Sequence, residues 1–239
     1  MNITTGTDGS PWHHEATHSY SNQNRGIYGV DYQYESQASF SYLASRGVKT
    51  VRFAFRWERL QRALGGPLHV TELQRIKDAI AGAAAVGIEV ILNVHNYGEY
   101  YLSDGTQGVR RIIGSAECTQ ADFADLWRRI SAEFKDDGTV LGYGLMNEPA
   151  GMEAAAWEAQ SQAVLDTIRA NGDTKVVLVP NLAGYGLQTT WSKVHPKAWI
   201  SDSAGNHRYE AHFYFDRNGS GNYADTYRDE VADAEERGY

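Results

Sequence analysis

Apolar runs rich in β-branched residues recur along the chain at residues 50–57, 89–97, 140–149, 175–182 and 209–216. Between them the apolar positions return every three to four residues, the spacing of one buried helix face. The clearest such stretch is 121–135, where Phe123, Leu126, Trp127, Ile130 and Phe134 share a face and Thr119 with Asp122 has the form of a capping box. Residues 71–86 carry Leu73, Ile76, Ile80 and Ala84 in the same way, with Gly87 as a stop signal. Residues 35–46 end at Gly47, and 152–170 place Met152, Trp157, Val164 and Ile168 on one side before Gly172. A last stretch, 223–239, reads as a helix with a solvated acidic face. Strands alternating with helices predict a parallel α/β sheet that closes on itself, a (β/α)8 barrel of the TIM type.

A chain of 239 residues is of the size of one such barrel or of two small domains, and one domain is the reading preferred. Residues 1–26, rich in Asn, Ser, Thr and His, read as an irregular segment, and 27–239 as the barrel domain. The net charge of −8 argues against a nucleic-acid or anionic-membrane partner and leaves a neutral polymer compatible. No apolar run approaches the length of a membrane span, and the first residues lack the basic and apolar regions of a signal peptide. Cys118 is the single cysteine, so an intrachain disulfide is excluded. The 15 Tyr, 7 Phe and 6 Trp add weak support for a surface that stacks on sugar rings.

Candidate chemistry lies at the ends of the apolar runs. Gly142-Tyr-Gly-Leu-Met-Asn-Glu-Pro149 closes abruptly in an amide, an acid and a proline, and Pro149 turns the chain just past Glu148. An acid beside a neutral amide at a strand's carboxyl end suits general acid/base work on a glycosidic bond. Arg52 falls in the first run, His95 and Asn96 at the end of the second, and His212 and Tyr214 on one face of the fifth. Each alone has an ordinary explanation in the core; their succession along alternating βα units does not.

That succession, above all Asn147-Glu148-Pro149 with His212-Phe-Tyr214, resembles the cellulase-type family 5 glycoside hydrolases over residues 27–239. The resemblance implies retaining hydrolysis of a β-linked glucan, mannan or related polymer, with Glu148 as acid/base and Asn147 on the sugar hydroxyl beside the scissile bond. It further implies that Arg52, His95, Asn96, His212 and Tyr214 shape the site, that no metal or other cofactor takes part, and that the protein is secreted. β-1,4-Glucan is the substrate expected first. Trp57, Tyr97, Tyr100, Tyr101, Tyr185 and Trp191 follow strand ends, and Tyr97 and Trp191 are the first choices for a sugar groove.

Retaining chemistry needs a second carboxylate, and no residue answers to the family's nucleophile at the seventh barrel strand. Only 239 − 216 = 23 residues follow the last run. With the first barrel strand also obscure and five runs clear, the sequence predicts an incomplete barrel, poorly active by itself and prone to self-association through open strand edges. Glu210 and Glu99 are weak replacement nucleophiles. Two other readings stand beside this one. A carbohydrate-binding barrel would keep the groove without turnover. A zinc peptidase would use His14-Glu15-Ala16-Thr17-His18, with Glu35 as a third ligand, although the flanks lack the apolar stripe that buries such a helix.

Overall fold

Strands apolar on both faces must be covered on both, and amphipathic helices of matching length are the covering this sequence supplies. The structure is a computed structural model that describes residues 2–3, 20–182, 194–212 and 228–239. Its elements are β1 (Asn2–Ile3), α1 (Gln37–Ser45), β2 (Thr50–Phe55), α2 (Trp57–Leu60), α3 (Val70–Ala84) and β3 (Glu89–Val94). There follow β4 (Glu99–Ser103), β5 (Gly108–Ile112), α4 (Gln120–Phe134), β6 (Val140–Gly144), α5 (Ala154–Ala170), β7 (Val176–Pro180), β8 (His207–Glu210) and α6 (Arg228–Glu236).

Six strands form one parallel sheet in the order β1-β2-β3-β6-β7-β8, and β4 with β5 forms a separate antiparallel hairpin. A parallel sheet built in chain order with helical crossovers is the (β/α)-barrel architecture. Among the described residues β1 and β8 do not pair with each other, so the sheet is open. Each of the five apolar runs contains a strand, and in the first four the strand stops short of the run's end, because the terminal residues leave the ladder.

Two features differ from the sequence expectation. Asn2 and Ile3, within the segment read as irregular, pair in parallel with Arg52 and Phe53. The β4–β5 hairpin was also not anticipated. Its turn is held by Asp104, whose Oδ1 accepts from the backbone of Thr106 and Gln107 at 2.8 and 2.9 Å. These bonds to the ionised form hold the Asp104 carboxyl down at about 2.

The helices begin where their caps dictate. Thr119 accepts from the Asp122 backbone at 3.2 Å while Asp122 accepts from the Thr119 backbone at 2.8 Å, the reciprocal box expected from sequence. His69 caps α3 through Nδ1. The tryptophans of α4 and α5 lie wholly in the core with their N–H groups satisfied: Trp127 donates to the Leu145 carbonyl and Trp157 to the Pro180 carbonyl, at 3.2 and 2.8 Å. Both acceptors lie at the carboxyl ends of strands, so the helices fix the level at which β6 and β7 turn outward. Gly142 permits β6 and β7 to approach: a Cβ there would stand 2.3 Å from the Val176 carbonyl oxygen.

Candidate active site

The register brings Phe55, Val94, Gly144, Pro180 and Glu210 to one edge of the sheet. Backbone bonds carry the alignment past the strands: His95 donates to the Phe55 carbonyl at 2.9 Å and Asn147 to the Val94 carbonyl at 2.7 Å. Residues 52, 95, 97, 147, 148, 210 and 212, separated by up to 212 − 52 = 160 positions, thereby converge on one cluster.

Glu148 does not sit in the strand itself. It lies four residues past β6, at φ 40°, a left-handed backbone conformation costly for a side-chain-bearing residue. Its Oε1 lies 2.8 Å from Nδ1 of His212, and Nε2 of the same imidazole lies 3.1 Å from Oε1 of Glu210. The hydrogen bond to Glu148, and after it the one to Glu210, raise the His212 imidazole to about 9. Arg52 donates from both terminal nitrogens to Oδ1 of Asn147 at 3.1 and 3.2 Å, and its Nε lies 2.9 Å from Glu210 Oε1. Asn147 is thus oriented with its carbonyl turned to the guanidinium and its amide N–H groups turned away from it.

His95 is buried. Burial first, then the charges of Arg52, Arg56 and His212, push its imidazole down to about 3, so it is neutral in the working range. Its Nε2 lies 3.2 Å from the Tyr97 hydroxyl, and Nδ1 has no partner among the described residues. Tyr97 also has a left-handed backbone, φ 57°. The adjoining Gly98 is required by close packing: a Cβ would meet Met152 Cε at 2.7 Å and the Ala150 nitrogen at 3.2 Å.

Several expected site residues fall behind the cluster. Asn96 is fully buried, accepting from the Trp57 backbone and donating to Glu58 and to the Glu99 carbonyl, so it shapes the loop from behind. Trp57 and Tyr100 are core residues, not groove residues. Glu99 is buried against Arg110 at 2.5 Å in the hairpin, with burial raising its carboxyl, and joins none of the cluster's contacts. Trp191, Tyr185, Tyr214 and the His14-Glu15-x-x-His18 motif lie outside the described residues. Among the described residues no group of three or more His, Cys, Asp or Glu side chains is placed to hold a metal ion.

Glu58 is the support that sequence reasoning missed. Fully buried, it accepts from the Tyr20 hydroxyl at 3.1 Å, Asn96 Nδ2 at 2.9 Å and the Tyr101 backbone at 2.7 Å, with Arg56 Nε at 3.7 Å. The available signal was its position directly after a buried strand, in Arg56-Trp-Glu-Arg59, where an acid between two arginines has partners at hand.

Fold and cluster together define a (β/α)-barrel protein with a carboxylate, amide, imidazole and guanidinium gathered at the strands' carboxyl ends. The family model for cellulase, glycosyl hydrolase family 5, matches residues 8–238, and the chain belongs to that family. It is 30% identical over 199 residues to endo-beta-1,4-glucanase A of Emericella nidulans, an alignment covering 82% of this chain and 57% of that protein. The endo-beta-1,4-glucanase Xac0029 from Xanthomonas axonopodis pv. citri superposes with a TM-score of 0.75 at 32% identity, covering 92% of this chain and 66% of that one. XacCel5A in complex with cellopentaose superposes at 0.74 and 33% identity with the same coverage. The chain spans a little over half the length of the curated relatives it matches.

Proposed function

We propose that this chain carries the acid/base part of a retaining endo-β-1,4-glucanase site, with Glu148 as general acid and then general base. The observation that carries the reading is the pairing of Glu148 with His212 and of Asn147 with Arg52 across the sheet, each pair spanning an intervening strand, in a chain of the cellulase family. Asn147 presents its amide to the sugar hydroxyl beside the scissile bond, and Tyr97 contacts the sugar, a role also proposed from sequence for Tyr214 and Trp191. Glu148 donates its proton to the leaving oxygen as a carboxylate nucleophile attacks the anomeric carbon; it then removes a proton from the water that releases the glycosyl-enzyme. The substrate is a β-1,4-glucan, as suggested by the cellopentaose bound to the similar XacCel5A, and the site of action is extracellular, where such polymers occur.

A second reading, binding without turnover, is favoured by one observation. Glu210 is the other carboxylate in the described cluster, and it is committed to Arg52 and His212 with Oε2 buried, so it does not face a sugar as a nucleophile must. Reducing-sugar release from carboxymethyl-cellulose separates the two readings. Turnover by the chain that falls at least a hundredfold in Glu148→Gln supports the glucanase site in this chain. Binding of cello-oligosaccharide without release supports the binding barrel, and near-normal activity of the variant removes Glu148 from the chemistry.

A further inference from the structure

Both edges of the His212 ring face carboxylate oxygens, Nδ1 toward Glu148 at 2.8 Å and Nε2 toward Glu210 at 3.1 Å. A neutral imidazole has one N–H and one lone pair, and a carboxylate offers only lone pairs, so a neutral ring would set a lone pair against an anion on one side. The surroundings decide how the conflict is resolved. The charged and titratable groups about the ring are Glu148 past β6, Glu210 and Arg52 from β8 and β2, and His95 with Tyr97 past β3. His95 is neutral. Two carboxylates therefore confront one guanidinium, and a second positive charge on His212 balances the group.

Glu210 is the residue through which this balance is set. It reaches Arg52 and His212 with the same oxygen, and its other oxygen is buried without a partner among the described residues. We propose that Glu210 is a positioning residue for Glu148: by accepting a hydrogen bond from the Nε2–H of His212 and pairing with Arg52, it fixes the ring as a two-edged donor whose Nδ1–H holds the Glu148 carboxylate in place. Glu210 touches no reacting atom in this arrangement. The inference rests on Glu148 being the acid/base, but its test does not use turnover.

The test is imidazole nitrogen NMR on the full 239-residue chain. In the unaltered protein at neutral pH, both His212 ring nitrogens carry protons, identified by loss of the signal in His212→Asn. Glu210→Gln lowers the His212 midpoint by a unit or more and shifts the Nε2 resonance most, while Glu148→Gln lowers the midpoint but shifts Nδ1 most. A His212 ring with a single protonated nitrogen at neutral pH in the unaltered chain overturns the proposal without needing any variant to fold. So does a folded Glu210→Gln chain whose His212 midpoint is unchanged. Failure of Glu148→Gln to alter carboxymethyl-cellulose turnover overturns the acid/base reading instead and leaves the titration result standing.

Discussion

Arg52 has no opposite charge beside it in sequence, yet its guanidinium orients one strand's amide and pairs with another strand's acid. At the residue scale, the candidate groups read within or at the ends of the apolar runs were legible as a set: Arg52, His95, Asn147, Glu148 and His212 converge. Their individual assignments were less legible, because sequence gives the strand face but not the depth. Asn96 lies one residue beyond His95 yet points the other way, into Glu58. Glu210 reads as a stray acid until β7 and β8 are aligned. Gly98 offers a residue-scale prediction. Gly98→Ala places a Cβ against Met152 and the Ala150 backbone at a positive φ, and should lower stability by about 1–3 kcal/mol. Denaturant midpoints check it, and pairing with Met152→Ala should return only part of the loss, since the backbone strain remains.

At the element scale, the three crossovers from β2 to β3, β3 to β6 and β6 to β7 followed from period and punctuation, because helices with a full apolar stripe have few alternatives. The predicted capping box on α4 is present. Thr119→Ala should cost about 1 kcal/mol, and the combination with Asp122→Ala should be less than additive, since each partner's loss already breaks the box. A double-mutant cycle in urea measures both. The hairpin escaped notice for a physical reason. Its second strand carries Arg110 and Arg111, so the alternation that marks a strand is broken by charges, and one of them is neutralised by Glu99 from the first strand. The Asp104-Gly105 pair was the visible sign of its turn. β1 was illegible because two residues carry no period at all.

At the scale of the whole molecule, the two site histidines shape stability in opposite directions. The folded-state imidazole of His212 is raised to about 9, so its contribution is fully present below the ordinary histidine value near 6.5 and is lost as pH rises through about 9. His95 is depressed to about 3, so its contribution is present above 6.5 and is lost as pH falls toward 3. Denaturant midpoints should therefore fall on both sides of neutrality. His212→Asn should flatten the alkaline side, and His95→Asn the acid side. Loss of the alkaline slope in His95→Asn instead would contradict this assignment. The open sheet carries a further expectation. Sedimentation that shows concentration-dependent association would fit pairing through β8, and a monomer at all concentrations would contradict it.

The Arg52 to Glu210 pair also bears on how the chain acquires its structure during synthesis. Strand β2 emerges first, and 210 − 52 = 158 further residues must follow before its counter-ion exists. Until then a guanidinium destined for partial burial faces the growing sheet without its anion, which disfavours early closure of the top of β2 against β3. Contacts this distant in sequence form late and slowly. Docking of β8 should therefore act late: the nascent chain gains its part-buried ion pair, the support of His212 and the orientation of Asn147 together, and a ribosome-bound intermediate lacking β8 should remain accessible to protease at the ends of β2 and β6.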